Sequence, residues 1–410
     1  MAASGVDRIR CVQLVLTAEC NLRCAYCFQN ARGRGRMGSR VLRRAADLLL
    51  ESRSPEGELA FYGGEPLLEF PRIREAVRYV EKATPPGKRI RFSLSTNGTL
   101  LDDRIAAFLS DHRVETQISF DGVPAAQRLR GVGTFARLDR LLDRLSRRFP
   151  SFLREDVAIA ITPTVRALPY LARSVRYFLD KRVTTIHMAP PTTHDLDWTP
   201  GTVKEIERQF EQIREVCSRH FRREATIPLT LLRRTSAVHA GMPRHAPICA
   251  AATGERLAVD VDGQAHGCAA FAESYQSLPA GILRDGLRAM RLGDLRDRSF
   301  TRRLRRYQEA ARSASLFHSK EAKHSFHGRC RACRFVESCR ICPLGTGFIP
   351  GNRDLHRIPD FPCAFNREAL RSRERLPYLP DANDVLTGRA PIPEKVREFE
   401  EFLSVAWTGG

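Results

Sequence analysis

Between residues 9 and 222, short β-rich runs alternate with helix-period segments, and no other feature narrows the fold of this chain so far. The strands read as "CVQLVLT" (11–17), "ELAFYG" (58–63), "IRFSLST" (90–96), "ETQISF" (115–120), "DVAIAIT" (156–162) and "TTIHMA" (184–189). Between them lie "SRVLRRAADLLLESR", "DDRIAAFLSDH", "FARLDRLLDRLSRRF" and "LPYLARSVRYFLDKR", whose apolar residues recur every three or four positions. Such alternation with short links builds βαβ units and a parallel sheet. Six units predict an α/β fold, a partial (β/α)6 TIM-like barrel whose active-site residues gather at the C-terminal ends of the strands.

After the loop "PPTTHDLDWTP" a further helix is expected over about 202–222, and then the alternation fades. The chain therefore divides into a barrel (9–222), a bridging segment (223–248), a cysteine-rich domain (249–363) and a tail (364–410) in which "EKVREFEEFLSVA" reads as a short helix. Long periodic segments are scarce in 249–363, so ligands rather than a large core are expected to hold it. No apolar run is long enough to cross a membrane, and the start "MAASGVDRIRC" lacks the apolar stretch of a secretory signal. A cytoplasmic protein is the expectation. In that reducing compartment clustered thiols point to metal or redox chemistry rather than disulfides.

Ten of the twelve cysteines fall in two clusters, with Cys11 and Cys217 standing apart as small buried hydrophobes. The first cluster, "CNLRCAYCFQN", directly follows the first strand and sets out Cys20, Cys24 and Cys27. Three thiolates on a short loop can wrap one edge of a cubic iron–sulfur cluster and leave its fourth iron open. Open coordination is what a catalytic metal keeps and a structural one closes. A zinc site completed by a distant ligand is the competing reading.

With Tyr26 in the aromatic position, Cys20, Cys24 and Cys27 resemble the CxxxCxφC signature of the radical S-adenosylmethionine (radical SAM) superfamily. The resemblance implies a catalytic 4Fe–4S cluster whose open iron binds S-adenosylmethionine, and reductive cleavage to a 5′-deoxyadenosyl radical. It also implies cofactor contacts at other strand ends. "YGGEP" closes the second strand, where Gly63, Gly64, Glu65 and Pro66 match the motif that takes the methionine amino group, the glycines letting a ligand approach the backbone. "STNG" supplies Ser95 and Asn97, and "SFDG" supplies Ser119 and Asp121. In "QRLRGVGTF", Arg130 matches the family arginine that pairs with the methionine carboxylate, and Arg128 competes for the role.

The second cluster contains Cys249, Cys268, Cys330, Cys333, Cys339, Cys342 and Cys363. Alone, its CxxCx5CxxC core could be a zinc knot. As a whole it resembles the SPASM domain of peptide- and protein-modifying radical SAM enzymes, departing by one residue at Cys339–Cys342. That resemblance implies two auxiliary 4Fe–4S clusters. Cys330, Cys333, Cys339 and Cys363 would hold the outer one, and Cys249, Cys268 and Cys342 the inner one. The inner set is one ligand short, leaving an open iron or a site completed by Glu255, water or a substrate thiolate.

The formal net charge is +20, and only seven of the 67 basic residues are lysines. Residues 284–334 hold 15 basic and 5 acidic side chains, with "FTRRLRRYQEAARS" reading as a basic helix. Base-stacking aromatics are not interleaved with the charge, so an acidic peptide ranks above nucleic acid as its partner. The resemblance then implies a maturase that oxidatively cross-links a ribosomally made precursor peptide by a thioether, C–C or C–O bond. Its partners would be an acidic leader, an electron donor such as flavodoxin or ferredoxin, and a separate leader-recognition protein if the basic stretch does not serve. The alternative is an anaerobic sulfatase-maturase-like enzyme that forms formylglycine. Relatives of that kind carry an aspartate after the second inner cysteine, where this chain has Ala269. A non-catalytic metal module that docks nucleic acid ranks last. His187 and His266 are further candidates for substrate contact.

Overall fold

The computed structural model of the 410-residue chain describes residues 9–29, 35–233, 254–274, 290–311 and 320–377. The six expected strands are all present as β1 (Cys11–Val15), β2 (Glu56–Tyr62), β3 (Arg89–Thr96), β4 (Val114–Ser119), β5 (Val157–Ile161) and β6 (Ile186–Met188). The helices between them are α1 (Ser39–Leu50), α2 (Phe70–Ala83), α3 (Asp103–Asp111), α4 (Pro124–Gln127), α5 (Thr134–Arg148), α6 (Pro150–Glu155) and α7 (Leu171–Asp180). Local chemistry sets their ends. The Asp102 carboxylate, for example, accepts from Ile105 N at 2.7 Å and caps α3. After β6 comes α8 (Thr202–Glu224).

Every neighbouring pair from β1 to β6 is parallel, with registers such as Val15↔Tyr62, Ser95↔Gln117 and Ala160↔His187. Strand alternation then sorts the side chains onto two faces. Val12, Leu14, Leu59, Phe61, Leu94, Ile118, Ile159 and Ile186 turn outward to the helices and are buried in the main core. Gln13, Glu58, Ser93, Gln117 and His187 share the opposite, inner face. A closed barrel fills its interior with branched apolar residues. This one is lined by polar and small side chains, which leaves a lumen of about 880 Å³ below the strand ends.

The sheet does not stop at the barrel. β7 (Arg256–Val259) pairs parallel with β1, and β8 (Gln264–His266) and β9 (Arg291–Asp294) add antiparallel, giving nine strands in the order β6-β5-β4-β3-β2-β1-β7-β8-β9. The second region is thus partly held by backbone pairing to the first. α9 (Phe300–Ala311) confirms the basic helix, with Arg302, Arg305 and Arg306 exposed. A small hairpin of β10 (His324–Ser325) and β11 (Gly328–Arg329) precedes the dense cysteine run. α10 (Asp360–Glu374) packs on α8 and runs across residues 363–364, so Cys363 and the residues after it belong to one element. The helix expected in the tail, and Cys249, lie outside the described residues.

Candidate active site

Cys20, Cys24 and Cys27 line one solvent-open cavity of about 1320 Å³ above the C-terminal ends of the barrel strands. Their loop is fastened at several points. Ala25 N donates to Leu129 O at 2.8 Å, and Cys27 N donates to Cys24 O at 3.1 Å. Cys20 Sγ accepts from Leu22 N at 3.4 Å and from Asn97 Nδ2 at 3.9 Å. Burial pushes the Cys24 thiol up to about 11; Arg130 opposes the rise, and neighbouring Cys27 and Cys20 add to it. Metal ligation needs the thiolate, and a cation bound at the three sulfurs would offset the cost that burial puts on ionising Cys24. That donor set fits an iron–sulfur cluster.

The stem of the loop is zipped to the "GGEP" segment. Gly64 N donates to Thr17 O at 2.8 Å and Glu65 N to Glu19 O at 2.9 Å. A Cβ on Gly63, whose φ is +139°, would stand 2.5 Å from the Thr17 carbonyl, and one on Gly64 would run into the Glu19 carbonyl. Both glycines line the cavity, but the close approach they permit is first of all by the cysteine loop's own backbone. Glu65 is buried beneath the cavity instead of lining it. Its carboxylate accepts from Leu67 N (3.0 Å), Thr96 Oγ1 (2.7 Å) and Asn97 N (2.7 Å), so it joins the ends of β2 and β3. Burial raises its pKa and the three donors oppose the rise. Pro66 is buried beside it. Ser95, Asn97 and Ser119 do line the cavity.

Asp121 also sits underneath, as a hub. Its Oδ1 accepts from Arg130 Nη2 at 2.9 Å and from Thr162 N at 2.9 Å, and its Oδ2 accepts from the Tyr26 hydroxyl. Arg130 lies over the Tyr26 ring, 5.3 Å from its centroid. One carboxylate thereby ties the cysteine loop to the ends of β4 and β5. Between the two arginines the geometry decides: Arg130 is buried and lines the cavity, whereas Arg128 is exposed and does not. Arg130 Nε is buried without a hydrogen-bond partner. An orphaned guanidinium donor at the wall of the cavity fits a ligand carboxylate, the group S-adenosylmethionine carries.

Cys330, Cys333, Cys339 and Cys363 surround a second, largely apolar cavity of about 620 Å³. Burial pushes Cys330 up to about 11 and Cys339 to about 12, with Cys363 among the neighbours adding to both. Cations stand close by: Arg367 Nη1 lies 3.8 Å from Cys333 Sγ, and Lys323, which lines the cavity, is brought down by burial to about 8. Among the described residues no group of His, Cys, Asp or Glu is set to hold a single metal ion. The four thiols instead share the lining of one cavity. Cys342 is not at this cavity; with Cys27 and Cys268 it acts on Tyr62, whose phenol burial holds above its ordinary pKa.

The cavity lining includes residues to which the motifs gave no role: Tyr62, Gln117, Thr162 and the segment from Ala189 to Thr192. Gln117 lies two residues before Ser119, so strand alternation put it on the same face. Thr162 is the residue directly after β5, and the "PPTT" loop covers the cavity from β6.

Residues 14–162 match the sequence profile of the Radical SAM superfamily, and the chain carries a radical SAM domain, with the S-adenosylmethionine and 4Fe–4S cluster which that superfamily implies. Over 178 residues it is 29% identical to a cysteine-type anaerobic sulfatase-maturating enzyme of Clostridium perfringens, covering 40% of this chain and 46% of that protein. The chain spans about half the length of the curated relatives it matches. Its fold is similar to that of anSMEcpe with bound AdoMet and Kp18Cys peptide, at a TM-score of 0.68 and 19% identity over 89% of this chain and 97% of the other. Streptococcus suis SuiB bound to precursor peptide SuiA is similar at a TM-score of 0.51 and 13% identity, over 88% and 76% of the two chains. Among the described residues no helix is long and apolar enough to cross a membrane.

Proposed function

We propose that the protein is a peptide-modifying radical SAM enzyme that oxidises a ribosomally made peptide, forming an intramolecular cross-link. The observation that carries this reading is the cavity over the strand ends, where Cys20, Cys24 and Cys27 meet Arg130, together with a second cavity lined by Cys330, Cys333, Cys339 and Cys363. Cys20, Cys24 and Cys27 hold the catalytic cluster, and Arg130 takes the carboxylate of S-adenosylmethionine, with Ser95, Asn97 and Ser119 along it. When bound, the pair supplies a 5′-deoxyadenosyl radical. The chain's own residues position the peptide and keep water from the radical.

Cys330, Cys333, Cys339 and Cys363 hold an outer auxiliary cluster. Cys268 and Cys342, with Cys249, hold an inner one. The position of Cys342 outside the cavity that Cys330, Cys333, Cys339 and Cys363 line supports that division. Exposed Arg302, Arg305 and Arg306 on α9 offer an acidic leader its docking face. A flavodoxin or ferredoxin supplies the reducing electron. Peptides bound to both structural neighbours support a peptide substrate.

Formylglycine formation is the second reading, favoured by the likeness to the sulfatase-maturating enzyme. Against it, the position after Cys268 is Ala269, buried and without a carboxylate. Anaerobic co-expression with a peptide encoded beside the gene tests the first reading. Loss of a pair of hydrogens in the intact mass, abolished by Cys24→Ala, is the expected result. An unchanged peptide with a modified sulfatase would establish the second.

A further inference from the structure

We propose that His187, on β6, is the proton acceptor of the oxidation, through its Nε2 atom; this rests on the peptide-oxidising function proposed above. Removing a pair of hydrogens breaks one C–H and one S–H or O–H bond and forms a C–S, C–O or C=O bond. One hydrogen leaves as an atom taken by the 5′-deoxyadenosyl radical, and one leaves as a proton. The remaining electron passes to an iron–sulfur cluster as a one-electron acceptor. Atom and electron thus have destinations, and the proton needs one.

The lining of the cavity offers few. Its ionisable side chains among the described residues are Cys20, Cys24 and Cys27, Tyr26, Tyr62, Arg130 and His187. The thiols are committed to the cluster, and Arg130 is a permanent cation. The Tyr26 hydroxyl already gives its proton to Asp121, and burial holds the Tyr62 phenol above its ordinary pKa. Glu65 and Asp121 lie beneath the cavity with their oxygens already accepting hydrogen bonds. His187 is what is left.

Its tautomer can be read from its neighbours. The Thr230 hydroxyl stands 3.2 Å from Ile186 O and 3.1 Å from His187 Nδ1; when its one proton goes to the carbonyl, it accepts from Nδ1. That pairing puts the ring proton on Nδ1, the tautomer the proposal requires. Nε2 carries a lone pair and has no hydrogen-bond partner among the described residues. His187 belongs to the walls of both the upper cavity and the lumen, in company with Tyr62, Ser95 and Gln117. Burial first, then the charge of Arg233, bring the imidazole below its ordinary pKa. Arg233 is fixed there by Ile227 O and Thr184 O. Glu58, Glu115, Glu155 and Asp156 line the lumen too. A neutral ring with an unused lone pair is a base at neutral pH.

Two readouts test this. In the full-length chain labelled with 15N-histidine, the resonance lost in His187→Gln should show Nδ1 protonated and Nε2 bare, and should titrate below the ordinary histidine value. An Nε2-protonated tautomer overturns the proposal. The second readout is product formed per S-adenosylmethionine cleaved, with the peptide encoded beside the gene as probe. Wild type should lose product yield as pH falls through the histidine pKa. His187→Gln should keep cleavage, lose about 10²-fold in product, and show a flat pH profile. Thr230→Val, which removes only the anchor of Nδ1, should lie between the two. Equal product per cleavage in wild type and His187→Gln overturns the proposal while the parent reading stands. A peptide left unmodified by wild type removes the parent reading and this one with it.

Discussion

Replacing Asp121 by asparagine tests whether one buried carboxylate holds the cysteine loop to the barrel. Asparagine preserves the shape and one acceptor oxygen, so Thr162 N and Arg130 Nη2 keep a partner. What goes is the charge. The Asp121 and Arg130 side chains are 1% and 8% exposed and 2.9 Å apart, so the guanidinium is left buried and unpaired. Breaking such a pair from one side costs about 3–5 kcal/mol. With an unfolding entropy of about 2 cal/mol/K per residue, that lowers the melting temperature by about 5 °C if the chain melts as one unit. The assay is thermal unfolding under anaerobic conditions of wild type, Asp121→Asn, Arg130→Met and the double variant. The double variant has no stranded charge, so its loss should be smaller than the sum of the single losses by about 2 kcal/mol or more. Strict additivity, or a melting temperature of Asp121→Asn within about 1 °C of wild type, would refute the hub.

Three other perturbations probe the two cysteine sets and the stem of the loop. Cys24→Ala should abolish S-adenosylmethionine cleavage, measured as 5′-deoxyadenosine, because one iron loses its thiolate; normal cleavage would sink the assignment of the first set. Cys333→Ala should spare cleavage more than product formation, and equal loss of both would make the second region a purely structural one. Gly64→Ala puts a methyl into the Glu19 carbonyl. It should cost about 1–3 kcal/mol in thermal unfolding and speed the loss of iron to a chelator. Wild-type retention of iron would show that the stem can part without moving the cysteines.

The barrel was legible because two periods carry it. Alternation in "ETQISF" and "DVAIAIT", set between helices of period 3.6, leaves little other choice than βαβ units. The short strands β7, β8 and β9 were not legible. They are four, three and four residues long, with "DVDG" between the first two, and their strand character comes from pairing, β7 on β1, β8 on β7 and β9 on β8, rather than from any pattern of their own. α10 escaped for a similar reason. "DFPC" reads as a break, yet its proline lies in the first turn, where a missing N–H costs nothing. At the site, spacing located the cysteines but could not choose between Arg130 and Arg128, which differ by which face of a turn they occupy. Nor could it show that Glu65 works as a tie between β2 and β3, because its partners Thr96 and Asn97 are thirty-odd residues away.

Strand β1 links the two cysteine sets mechanically. Its C-terminal end feeds the loop of Cys20, Cys24 and Cys27, while its free edge pairs with β7 in the register Cys11↔Arg256 to Leu14↔Val259. β7 and β8 form the hairpin that leads to Cys268. A slip of one residue between β1 and β7 would shift Cys268 by about 3.3 Å and turn its neighbours to the other face. The register has a lock at the point that matters: Gln13, on the inner face of β1, accepts from the N–H of Ala269 at 3.2 Å. Gln13→Leu removes that bond at a cost of about 1 kcal/mol in stability, too little to unfold the chain. Its larger effect should fall on the inner thiols, because the residue after Cys268 is no longer held to β1. Iron bound at the second cysteine set should become more labile to chelation in this variant, while 5′-deoxyadenosine formation at the first set is retained. If iron is lost equally from both sets, or from neither, then Cys268 takes its position from something other than β1.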